Sequence, residues 1–77
     1  MDATKVRAGL RVKITNLGDE KRLTAAMSRH VRAREVGITG TIIGHAANPS
    51  GHDTWFVVHD NSDNVVGAYM HDEFEEV

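Results

Sequence analysis

The run Gly37-Ile38-Thr39-Gly40-Thr41-Ile42-Ile43-Gly44 sets five β-branched residues between three glycines. β-Branched side chains favour the pleated, half-buried surface of a strand. Glycine inside such a run marks a bulge or a sharp bend, of the kind a small barrel uses at its corners. Other segments supply partner strands. Gly9 to Thr15 alternates, with Leu10, Val12 and Ile14 directed to the core and Arg11, Lys13 and Thr15 to solvent. Thr54 to His59 and Val65 to Met70 read as two more strands joined by a tight hairpin connection at Asp60 to Asn64, while Ala46 to Asp53 reads as a turn-rich loop. His71 to Glu76 is expected to make one helical turn, with Phe74 packed back as an anchor. The pattern predicts a mainly β fold: a small antiparallel barrel of about five strands.

With 77 residues the chain holds one domain, 1–77, of which residues 1–8 are expected to be flexible. The absence of cysteine excludes disulfides, a thiolate metal site and a cysteine nucleophile. No apolar run approaches the roughly 20 residues of a spanning helix, and Met1 to Gly9 lacks the apolar stretch of a signal peptide. A cytoplasmic protein is the expectation.

Residues 17 to 36 interrupt the strand pattern. Leu23, Met27 and Val31 recur every four residues, and Ala25, Ala26 and Ala33 favour helix, so a short amphipathic helix from about Thr24 to Arg34 is expected, with a charged loop as the alternative. The same region carries an electrostatic asymmetry. All nine basic residues precede position 35 and face only Asp2, Asp19 and Glu20, a net of +6, whereas residues 35 to 77 carry eight acids and no base, a net of −8. Such a split suits either a basic face for an anionic partner or internal cancellation, the basic segment lying over the acidic one.

The runs at 9–14, 36–43 and 55–60, with a closing Tyr69 and Glu73-Phe74-Glu75, resemble the SH3-like small-barrel superfamily. The spacing of Gly37, Gly40 and Ile42 is similar to the KOW motif of ribosomal and transcription-factor barrels. The resemblance implies an SH3-like barrel with the charged segment inserted after the first strand. Its implications for function are broad, because such barrels bind RNA, DNA, peptides and one another. The layout is also similar to that of type II dihydrofolate reductase, a pore-forming oligomer of small barrels. That family's Val-Gln-Ile-Tyr motif would fall on Val66-Gly67-Ala68-Tyr69, where only the outer positions match, and Ile14 stands where its cofactor-binding lysine is expected.

Three His-Asp pairs, at 52–53, 59–60 and 71–72, offer metal-ligating and proton-carrying groups. Neighbours on a strand point to opposite faces, so a pair does not converge on one ion. The only combination worth testing is His59 with His71 and a carboxylate. Ser28, Ser50 and Ser62 lie in no nucleophile elbow, and no glycine loop leads into a helix to cradle phosphate. No catalytic residue, metal or cofactor is assigned.

Alternation places Trp55 and Val57 on one face of their strand and Phe56 and Val58 on the other, so both faces are apolar and one needs a cover. The stripe of Leu23, Met27 and Val31 is the nearest candidate for that cover. The chain is therefore expected to be a non-enzymatic binding or assembly module, partnered by protein or by a second copy through Trp55, Phe56, Tyr69, Met27 and Val31. The alternative is RNA or DNA binding by Arg11, Lys13, Arg22, Arg29, Arg32 and Arg34, with Trp55 and Tyr69 as stacking residues.

Overall fold

A computed structural model describes residues 1–49 and 51–77. Its strands are β1 (Arg11–Ile14), β2 (Thr39–Ala47), β3 (Asp53–His59), β4 (Val66–Tyr69) and β5 (Phe74–Glu76), and one α-helix, α1 (Ser28–Arg32), follows β1. They form one sheet in the order β4-β3-β2-β1-β5, with every neighbouring pair antiparallel. In a flat sheet of this order β4 and β5 would stand about 19 Å apart, four spacings of about 4.8 Å. The chain passes from one to the other through Met70 and a single 3-10 turn, His71–Glu73, which advances only about 2 Å per residue. The sheet therefore curls until its two edges approach, and the domain is barrel-like and mainly β.

The curl encloses one core. Val12 and Ile14 of β1, Ile42 of β2, Trp55 and Val57 of β3, Tyr69 of β4 and Phe74 of β5 pack together with Val6 and Leu10. Ile14 is fully buried although it ends β1, because Phe74 lies opposite it on β5. Two glycines are required by close approach. A Cβ on Gly40 would collide with the Val58 carbonyl oxygen, and one on Gly67 would meet the rings of His59 and Tyr69. A register shift between Ile42 and Gly44 makes the bulge that the glycine run implies. It buries Ile42 and leaves Ile43 more than half exposed on the outer surface.

Several sequence expectations are corrected. Residues 1–8, expected to be flexible, lie against the domain. Asp2 caps a 3-10 turn at Ala3–Lys5, Val6 is buried, and the Met1 amino group donates to the His71 carbonyl at 2.9 Å. β2 runs on to Ala47, into the expected loop, and Ser50 of that loop lies outside the described residues. The last segment is not one helical turn: it divides into the 3-10 turn and β5, with Phe74 buried as the anchor. The expected helix contracts to Ser28–Arg32, preceded by a 3-10 turn at Glu20–Arg22 that Asp19 caps. Too few apolar residues fall on one side of residues 24–34 to hold a longer helix against the sheet. Leu23 of the expected stripe is buried, but Met27 is exposed and Val31 half-buried. Among the described residues no helix is long and apolar enough to cross a membrane.

Ile42 and Ile14 are both almost completely buried in the core. Ile42→Ala is expected to lower the unfolding free energy by about 3 kcal/mol, and Ile14→Ala to cost nearly as much, both read by denaturant titration. A small domain has little stability beyond this to lose.

Candidate functional site

The placement of the six basic residues named for nucleic acid decides what kind of surface the protein offers. Arg11 forms a two-pronged pair with Asp60, in which its Nη1 donates to Oδ1 at 2.8 Å, and Thr41 accepts from the same nitrogen. Hydrogen bonds from Arg11 and then Thr39 pull the Asp60 carboxyl down to about 2. Arg22 holds Asp72 through both Nη atoms, at 3.0 and 3.1 Å, which lowers the Asp72 pKa and raises that of the arginine. Arg34 is buried and donates to Glu73, itself completely buried. Half of the expected cationic surface is thus spent on internal pairs. Lys13, Arg29 and Arg32 are exposed and, among the described residues, form no ion pair. Lys13 lies on β1 opposite Glu75 of β5, away from the helix that carries the other two.

Glu73 organises this region. One carboxylate oxygen accepts from the Met70 backbone N–H at 2.8 Å, and the other accepts from the Gly18 N–H and from Arg34, with Arg22 at 3.6 Å. The guanidinium of Arg34 also sits over the Tyr69 ring, 5.7 Å from its centre. Nothing in the sequence separates Glu73 from Glu75 and Glu76, which are exposed.

Tyr69 is a core residue rather than an interface or stacking group. Its hydroxyl accepts from the Glu35 N–H at 2.9 Å and faces His59 Nε2 at 2.9 Å. The contact satisfies both groups, the imidazole tautomer setting which of them donates. Burial lowers the His59 pKa against the opposing pull of Glu35, and burial raises that of Tyr69. His59 therefore does not join His71, whose ring lies instead 5.1 Å from that of His52. Among the described residues no group of three or more His, Cys, Asp or Glu side chains could hold a metal ion.

The other named interface residues fall into two groups. Trp55 is buried in the core, with its ring 4.9 Å from that of His45. Phe56 is half-buried on the outer face, where Gly44 and Ala68 flank it in the neighbouring strands. The helix covers this face only in part. Ala68 is fully buried, and the His30 ring meets the edge of Phe56 at 5.5 Å, yet Ile43 remains open. The side chain that reaches over the aromatic is thus His30, which sequence periodicity did not mark, and not Met27.

Two adjoining clefts remain between α1 and the outer face. One, of about 310 Å³, is lined by Ile43, Gly44, His45 and Phe56, and the other, of about 390 Å³, by Arg29, Ala33, Asn64 and Val65. His30 and Val66 line both, so they read as one groove, apolar at the bulge and cationic at the helix. The His30 Nδ1 is buried without a hydrogen-bond partner among the described residues. This arrangement can hold an apolar side chain beside a cationic group. No known family model, curated protein or solved structure matches the chain.

Two expectations follow for the charged framework. Glu73→Gln strands the Arg34 charge and should destabilise the fold by about 3 kcal/mol in denaturant titration. His59 contributes with the opposite sign to a paired histidine. Above about its ordinary pKa of 6.5 both states hold it neutral, whereas below that value the unfolded chain takes up a proton that the folded site resists. Stability should therefore fall as pH drops below 6.5 and through the lower folded value, and melting curves of His59→Gln should show a weaker dependence over this interval.

Proposed function

We propose that the chain is a non-enzymatic, SH3-like small-barrel module that binds a protein partner on the outer face of β2, β3 and β4. The observation carrying this reading is the groove beside α1: Ile43 is 54% exposed next to the half-buried Phe56, in a domain too small to leave apolar area uncovered without cost. The meander order β4-β3-β2-β1-β5 and the single turn joining its two edges support the SH3-like part of the reading. The close backbone approach at Gly40 and the bulge before Gly44 support the KOW-like segment. Nucleic acid is the weaker reading. Its affinity comes mainly from unpaired cations on phosphate, and Arg11, Arg22 and Arg34 are already held by carboxylates.

Photo-crosslinking in the native cells tests this. With p-benzoylphenylalanine in place of Ile43, protein adducts are expected, and the same group in place of Glu75 on β5 should give few. Equal labelling from both positions, or adducts to RNA alone, would overturn the proposal.

A further inference from the structure

We infer that the groove's occupant is an acidic peptide segment of a partner protein, bearing one large apolar side chain flanked by Asp or Glu. This rests on the protein-binding reading above and names the partner's chemistry. The apolar end can take a single large side chain, because the bulge turns Ile43 outward beside Phe56 while Gly44 leaves the floor bare. A Cβ built on Gly44 meets nothing within 4 Å, so the space between these residues is open. The negative charge follows from the other end. Arg29 lines it and Arg32 stands one helical turn further on, side by side on α1 as residues three apart are. Both are exposed and, among the described residues, neither is paired, in a chain that neutralises Arg11, Arg22 and Arg34 internally.

No carboxylate lines either cleft among the described residues. Asp53, the acid nearest along β3, is turned to His45, with Nδ1 and Oδ2 2.6 Å apart. An acidic segment with an apolar anchor would meet both ends at once. A wholly apolar segment would leave the arginines without a counter-charge. A polyanion lacking an anchor would leave Ile43 and Phe56 uncovered.

The test is a selection of random dodecapeptides on phage against the full chain, followed by fluorescence anisotropy with a fluorescein-labelled synthetic copy of the leading peptide. Selected sequences should be enriched in Asp or Glu around one large apolar residue. Gly44→Leu, which fills the groove where the backbone leaves room, should weaken binding at least tenfold while the melting temperature holds. Arg29→Glu should weaken it by a similar factor, and affinity should fall as salt rises because the contacts with the arginines are solvent-exposed. No enrichment, enrichment without acidic residues, or acidic peptides that bind both variants as tightly as the parent would each overturn the inference. So would light scattering showing a dimer that Gly44→Leu dissociates, since a second copy would then fill the groove, or displacement of the peptide by polyuridylate with no loss in Gly44→Leu. If crosslinking at position 43 yields protein adducts while the selected peptides are not acidic, the peptide chemistry fails and the binding module stands.

Discussion

The buried pair of Arg34 and Glu73 is the interaction on which the arrangement of this molecule depends. Glu73 sits in the short turn that carries the chain from one edge of the sheet to the other, and its carboxylate ties the Met70 N–H at the start of that turn. The same carboxylate reaches Gly18 and Arg34, at the two ends of the segment inserted between β1 and β2. One anion therefore closes the barrel-like sheet and fastens the insertion over it. A buried charge pair is a costly device, since desolvating both ions offsets much of their attraction. Its value here lies in geometry. The insertion is short of apolar residues, so burial alone gives it little to hold on by, whereas a desolvated ion pair whose carboxylate also accepts from two backbone N–H groups admits few alternative positions.

Once the insertion is fastened at both ends, the position of α1 follows, and with it the shape of the outer face. The helix has only five residues, too few to stand by itself, and it is held against β4 from both sides of the chain. Upstream, the Asn48 side chain accepts from the Ala25 N–H at 3.2 Å and donates to Thr54. Downstream, the Tyr69 hydroxyl takes the Glu35 N–H. A helix so short covers Ala68 and the edge of Phe56 and cannot reach the bulge. The groove is thus a direct consequence of a small helix anchored at its flanks beside a sheet with two apolar faces.

The charge asymmetry resolves by the same contacts. Basic residues that fall near the closing turn or near β3 meet carboxylates there, as Arg22 does with Asp72 and Arg11 with Asp60. Those on α1, Arg29 and Arg32, meet none among the described residues. A chain of net charge −2 is left with a local cationic end to its groove.

Much of the framework was legible in the residues alone. Strands with alternating or β-branched patterns declare themselves because their periodicity is local, so β1, β3 and β4, the bulge in the glycine run and the anchoring role of Phe74 could be read without coordinates. The division of β3 into a core face with Trp55 and Val57 and an outer face with Phe56 and Val58 follows from the same period of two. The tertiary structure decided everything that depends on which charges and rings meet across the chain. Glu73 is separated from Arg34 by 39 positions and His59 from Tyr69 by 10, and no local pattern distinguishes those residues from their exposed neighbours. The same holds for Tyr69, which sequence reasoning placed at a surface and the curl of the sheet placed in the core, and for His30, whose ring takes the place over Phe56 that helical periodicity assigned to Met27. Pairing partners are chosen by the closure of the sheet, a property of the whole chain, and that is why the site became visible only once the strands were in place.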